Sequence, residues 1–170
     1  MGAMVYGGAE QELIQLNHDT LWTGYPRDNN TKGSSKYFKE ARALALEGKL
    51  KEAQALIESR CQGPWSHMYL PLGDMKIDFT YDRDGDAPEY SRRLNLADSV
   101  AMVEADGISR EYFISFPARI MAIRIKSPKP IDYKVTISSQ LKSSLHCEDA
   151  ILILDGECPS DCRTTEPVFD

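Results

Sequence analysis

Residues 16–26 read Leu16-Asn17-His18-Asp19-Thr20-Leu21-Trp22-Thr23-Gly24-Tyr25-Pro26, which brings an amide, a carboxylate, an imidazole and two aromatic rings to the end of one apolar run. Asn17 and Asp19 carry the donors and acceptors that bond sugar hydroxyls, and Trp22 or Tyr25 offers a face on which a pyranose can stack. The same residues also have a purely structural use, with Asn17 and Asp19 closing an Asx turn while Trp22 fills the core. Residue chemistry alone favours that structural use. A second stretch, Gly63-Pro64-Trp65-Ser66-His67-Met68-Tyr69-Leu70-Pro71-Leu72-Gly73-Asp74, sets Trp65, His67 and Tyr69 on a loop between a helical and a β region. Aromatics exposed on such a loop mark a binding or interdomain surface. The interdomain use is expected, because both ends of the chain read as those of an excised piece.

A complete catalytic centre does not assemble from these residues. Glycoside hydrolysis needs two carboxyl groups facing each other across the scissile bond. Among 26 acidic residues any pair can be nominated, yet none stands in the apolar surroundings that raise a general acid's pKa. The three histidines, His18, His67 and His146, are scattered, and no G-x-S-x-G elbow accompanies them. Phosphate-loop and dinucleotide fingerprints are missing. Of the four cysteines, Cys61, Cys147, Cys158 and Cys162, only the last two are close, at C-x-x-x-C spacing. A zinc site would need tighter pairs, so reduced or buried thiols are expected, with a Cys158–Cys162 disulfide open in an exported protein. No catalytic residue, metal or cofactor is assigned.

The elements that position these loops follow from hydrophobic periodicity. Apolar runs at 3–7 and 12–16, separated by Gly7-Gly8, predict a hairpin. Residues 17–35 are rich in Asn, Asp, Gly and Pro and predict a long loop, of the kind that is usually functional. Tyr37, Phe38, Ala41, Leu44 and Ala45, then Leu50, Ala53, Leu56 and Ile57, recur at helical spacing. They predict an αα-hairpin over about 35–61, started by Ser34 or Ser35 and broken at Gly48, with both stripes packed on a sheet. From Met75 the period becomes two, over 75–79, 90–96, 99–105, 108–115, 119–126, 132–138 and 150–155. Turn signals fall between the runs at Asp84-Gly85-Asp86, Asp106-Gly107, Pro128-Lys129-Pro130 and Asp155-Gly156. The fold class expected is therefore mainly β, an antiparallel two-sheet β-sandwich with an inserted helical hairpin, and the unfinished look of both ends leads to the expectation of a truncated piece. An (α/α) barrel would need about a dozen helices, and a TIM barrel alternating strands and helices.

Composition excludes several partners. The net charge of −6 argues against nucleic acid, which demands a basic footprint. No apolar run approaches the ~18 residues of a membrane span. Residues 1–8 carry neither the basic region nor the cleavage site of a secretory signal. A soluble protein, cytoplasmic or secreted, is expected.

Five motifs, in order, give the chain a resemblance. Gly2-Ala3-Met4-Val5-Tyr6-Gly7-Gly8, residues 16–26, Leu70-Pro71-Leu72-Gly73-Asp74, Arg92-Arg93-Leu94-Asn95-Leu96 and Arg110-Glu111-Tyr112-Phe113-Ile114-Ser115 span nearly its whole length. They resemble G-N-G-x-x-G-A-M-V-x-G, L-N-E-D-T-L-W-S-G-x-P, Q-P-L-G-D, Y-R-R-x-L-D-L and T-R-E-Y-F-A-S of the bacterial α-L-fucosidases of glycoside hydrolase family 95. His18 departs from the usual Glu and Tyr25 from a common Gly. The resemblance implies a large N-terminal sandwich, here residues 1–170 as one domain, preceding a catalytic (α/α)6 barrel that this chain lacks. It implies inverting hydrolysis of terminal α-L-fucosyl links by barrel residues, so that this chain alone hydrolyses nothing. Its partners would be that C-terminal barrel and, through the whole enzyme, fucosylated glycans. Asn17, Asp19, Trp22, Trp65, His67 and Tyr69 are expected near the substrate or at the domain interface. The alternatives are a free-standing carbohydrate-binding module, or the sandwich domain of another glycosidase or phosphorylase.

Overall fold

A computed structural model describes residues 1–63, 66–81 and 89–161. The chain divides into two compact units, one formed by Met1–Thr23 with Met68–Asp170 and the other by Gly24–His67.

Among the described residues the regular structure of the first unit is all β. Strands β1 (Gly2–Val5), β2 (Gln11–Asn17), β3 (Gly73–Thr80) and β8 (Asp132–Ser138) form one sheet in the order β1-β2-β3-β8. Strands β4 (Tyr90–Asn95), β5 (Val100–Ala105), β6 (Ile108–Ser115) and β7 (Ile120–Lys126) form a second as a simple meander. A separate ribbon pairs β9 (Lys142–Glu148) with β10 (Ile151–Glu157). All pairings are antiparallel. Register puts Ile14 opposite Met75, and Ile77 opposite Val135. The core joins Ile14, Ile77 and Phe79 from the first sheet to Val103 and Tyr112 from the second. Each buried aliphatic there contributes roughly 1.5–3 kcal/mol, an upper figure because the unfolded chain is itself partly collapsed. The expected sandwich with its inserted helical hairpin is thus present.

Turn chemistry separates what the periodicity anticipates from what it misses. Asp106-Gly107 joins β5 to β6 with both residues at positive φ, 50° and 77°, as a two-residue hairpin requires. The β9–β10 turn is Asp149-Ala150, also at positive φ, 47° and 65°, without the glycine that signals such a turn. Asp155-Gly156, expected as a turn, lies inside β10 instead. Asp84-Gly85-Asp86 lies outside the described residues.

Among the described residues two charged side chains, Glu12 and Arg110, occupy the core. Along β2 the inward positions are Glu12, Ile14 and Leu16, and Glu12 is 0% exposed. Facing it from β6 is Arg110, 1% exposed. Arg110 Nη1 lies 3.3 Å from Glu12 Oε2, and the Tyr112 hydroxyl donates to the same oxygen at 2.7 Å. Glu12 Oε1 accepts the Gly7 N–H at 2.6 Å. Arg110 Nη2 donates to the Gly8 carbonyl at 2.8 Å, and its guanidinium carbon stands 4.9 Å from the Phe79 ring centroid. The Arg110 Nε–H is buried without a hydrogen-bond partner, a cost that the aromatic face offsets in part. The second sheet's edge strand reaches the same turn, with the Tyr90 hydroxyl donating to the Gly7 carbonyl at 2.7 Å and Arg92 Nη2 to the Val5 carbonyl at 2.8 Å.

Gly7 is where these contacts converge. Its φ is 75°, and a Cβ there would meet Arg92 Cδ at 3.0 Å, Val103 Cγ2 at 3.1 Å and the Tyr90 hydroxyl at 3.2 Å. Gly7→Ala is expected to lower stability by about 1–3 kcal/mol, from left-handed strain and crowding together. A urea titration checks this, and an unchanged midpoint would contradict it.

The second unit holds α1 (Ser34–Leu46) and α2 (Leu50–Arg60), packed on each other through buried Ala41 and Ala53. Gly48 ends α1 as expected. Its φ is 80°, its N–H reaches the Ala45 carbonyl at 3.1 Å, and the Lys49 N–H reaches that of Leu44 at 2.9 Å, the two bonds of a Schellman motif. The start differs from expectation: Gly33, left-handed at φ 79°, precedes the helix without a side-chain cap, and Ser34 is already helical. The preceding loop is tied to the end of α2 by Thr31 Oγ1, which donates to the Gln62 carbonyl at 2.9 Å.

Candidate functional site

The expected sugar-facing loop is built where β2 ends and β3 begins. Past those ends the two chain segments stay antiparallel. Leu72 N–H bonds the Leu16 carbonyl at 3.2 Å, Leu70 N–H that of Leu21 at 3.0 Å, and Thr23 N–H that of Met68 at 2.9 Å. Trp22 and Tyr69 form an isolated β-bridge in this run. Buried Thr23 closes it, its hydroxyl accepting the Met68 N–H at 2.9 Å. Two polar loops are thereby fixed with strand-like regularity, as a site on a rigid support requires.

Side chains complete the arrangement. The Tyr69 hydroxyl donates to Asn17 Oδ1 and lies 3.0 Å from the His18 carbonyl oxygen. The Trp22 and Tyr69 rings sit 5.1 Å apart, tilted by 59°, within the favourable edge-to-face range. The Trp22 indole N–H donates to the Asp19 carbonyl at 2.8 Å. The tight turn belongs to His18, whose Nδ1 accepts the Thr20 N–H at 3.3 Å and pairs with Thr20 Oγ1 at 2.8 Å. Asn17 and Asp19 therefore do not close an Asx turn. Trp22 is not core either, for 48% of it is exposed. The Asp19 carboxylate is 88% exposed, with His18 Nδ1 3.3 Å from its Oδ1.

Four of the six residues singled out from the sequence, Asn17, Asp19, Trp22 and Tyr69, thus meet in one cluster. His67 belongs to the helical unit, where a Cβ on Gly24 would come within 2.6 Å of its Nε2. Trp65 lies outside the described residues. Tyr69→Phe is expected to cost about 1 kcal/mol by freeing Asn17 and the His18 carbonyl. It should also speed amide exchange at Leu21 and Trp22. Exchange unchanged from the parent would show that the hydroxyl does not hold the loop.

No sequence pattern announces the buried Glu12–Arg110–Tyr112 group, although Arg110 and Tyr112 sit in one of the five motifs. Both Glu12 oxygens are occupied, so neither is free for a substrate. Burial, and then the bond to Glu12, push the Tyr112 hydroxyl well above the ordinary tyrosine range. Among the described residues no group of three or more His, Cys, Asp or Glu could hold a metal, and no helix is long and apolar enough to cross a membrane. Cys61, Cys147 and Cys158 are free thiols. Cys162 is outside the described residues.

Comparison with known proteins agrees with this architecture. The profile of the family described as "Glycosyl hydrolase family 65, N-terminal domain" matches residues 1–168. Alpha-L-fucosidase 2 of Arabidopsis thaliana is 32% identical over 167 residues, covering 93% of this chain and 20% of the relative. The chain spans about a fifth of the length of that relative. The expectation of a glycosidase N-terminal domain therefore holds, but the matching family is described under family 65 and not 95.

Proposed function

We propose a role that proceeds from one fact: this chain belongs to the family of glycosyl hydrolase family 65 N-terminal domains. Its part is non-catalytic. The finer reading is that it serves an inverting α-L-fucosidase of the family 95 kind, supporting an (α/α)6 catalytic barrel and helping to shape its pocket. The single observation that carries the fucoside is the alignment with an α-L-fucosidase over 93% of the chain. The site geometry supports a positioning part. The Asn17–Tyr69–Trp22 cluster is hydrogen-bonded, half exposed and polar-aromatic, while the one fully buried carboxylate among the described residues, Glu12, has both oxygens engaged. A glycosidase needs a proton donor and a second carboxylate bracketing its substrate, and this cluster presents a single exposed carboxylate, Asp19.

The test is direct. The purified 170-residue chain should release no nitrophenol from 4-nitrophenyl α-L-fucoside, whereas the chain joined to a family catalytic barrel should. Turnover by the chain alone would overturn the non-catalytic reading. A joined enzyme that cleaves other glycosides and spares fucosides would overturn the substrate.

A further inference from the structure

We infer that a cleft at one end of the sandwich, between the His18-Asp19-Thr20 turn and the β6–β7 turn at residues 116–119, is a binding site for a neutral terminal pyranose. The inference rests on the fucosidase reading only for which sugar enters. The meander topology sends the β4–β5 and β6–β7 turns to the same end of the second sheet. The β6–β7 turn carries Phe116 and Arg119, and lines a cleft of about 310 Å3 with His18, Asp19 and Thr20. That volume lies at the lower bound for small-molecule sites, roughly 300 Å3, and suits one sugar ring better than an extended chain.

The lining has the composition a sugar needs. The Phe116 ring is 87% exposed, at the end of a strand whose neighbouring side chains, Ile114 and Ser115, are half-buried. An aromatic face held in water at this cost supplies the platform on which the C–H face of a pyranose packs. Arg119 and Asp19 supply planar, forked donors and acceptors that match vicinal hydroxyls, and the guanidinium has no hydrogen bond or ion pair among the described residues. Their charges oppose each other. A phosphate or uronic acid would gain from Arg119 and be repelled by Asp19, whereas a neutral polyol uses both.

Arg119 also stands where a different residue would be easier. Its φ is 54°, in the left-handed region, and its N–H closes the turn on the Phe116 carbonyl at 3.2 Å. Glycine would relieve roughly 1 kcal/mol there. The depression at the other end of the same sheet has a similar volume of about 320 Å3, but its aromatic, Tyr81, is half-buried and its hydroxyl is engaged by Asp106 Oδ2 at 3.0 Å.

The glycine argument supplies the decisive variant. Arg119→Gly removes the guanidinium while easing the backbone, so it should fold at least as well as the parent chain. Phe116→Ala removes an exposed ring and should leave the melting temperature unchanged. We would titrate the 15N-labelled 170-residue chain with methyl α-L-fucopyranoside, methyl α-D-glucopyranoside and glucuronate. The expected result is a saturable shift of the amides of residues 18–20 and 114–119 with a neutral pyranoside, weakened tenfold or more in either variant. Glucoside binding without fucoside binding would support the cleft and count against the fucosidase reading. No saturable shift with either neutral sugar, equal binding by both variants, or tighter binding of glucuronate would overturn the cleft. Those outcomes leave the family role to stand on the hydrolysis test.

Discussion

Arg110→Met is expected to destabilise the sandwich by about 3–5 kcal/mol, the largest effect of any single substitution considered. The reason is what it leaves behind. Glu12, fully buried, would lose its counter-ion and keep only the Gly7 N–H and the Tyr112 hydroxyl, while the Gly8 carbonyl would lose its donor. The pair itself need not be worth that much, since desolvating two charges cancels most of their attraction. The double variant Glu12→Leu/Arg110→Met should therefore recover most of the loss. Against a total stability of about 5–15 kcal/mol, the single change leaves a small folded margin. Urea midpoints of the two single variants and the double variant give the coupling directly. A loss under 1 kcal/mol for Arg110→Met, or a double variant no better than the singles, would remove the network from the account of this fold.

The same group sets an alkaline limit. An unfolded tyrosine ionises at about 10, and Tyr112 in the folded chain titrates above that because burial and Glu12 oppose its anion. Above pH 10 the folded chain therefore holds a proton that the unfolded chain releases, so stability falls as pH rises. Below pH 10 the contribution is fully present. Melting temperatures in Tyr112→Phe should decline less steeply from pH 9 to 11 than in the parent; parallel declines would contradict the assignment.

Much of this fold is legible because its strands alternate. Met75, Ile77 and Phe79 announce β3 and its inner face, and Asp106-Gly107 fixes the β5–β6 hairpin. β9 is not legible, since Lys142, Ser143, Ser144, His146 and Glu148 offer no apolar period and its turn, Asp149-Ala150, puts an alanine at a positive φ where a glycine would have signalled the hairpin. The core charges escape for a different reason. An isolated Glu in a strand reads as outward, and only pairing across 98 residues shows that Glu12 and Arg110 satisfy each other inside. In the candidate site, residue types marked Asn17, Trp22 and Tyr69 individually. Their meeting depends on the register that carries residues 18–23 alongside 68–72, and no local pattern encodes that.

That convergence makes Trp22→Ala, in the joined two-domain enzyme, the informative functional change. The indole is exposed on one side and on the other holds the Tyr69 ring and the Asp19 carbonyl. Removing it deletes a half-exposed side chain, so the melting temperature should change little, by far less than for a core aromatic, whose loss costs about 3–5 kcal/mol. If the loop positions substrate against the barrel, kcat/KM for an α-L-fucoside should fall by about a hundredfold, the order expected from a small misplacement of a reacting group. Asp19→Ala should act in the same direction, by losing an exposed hydrogen-bond acceptor while keeping the backbone carbonyl that orients Trp22. A structural loop gives the opposite division, with a lowered melting temperature and unchanged kcat/KM. Because the two readings move different quantities, one pair of variants measured by melting and by kinetics separates them.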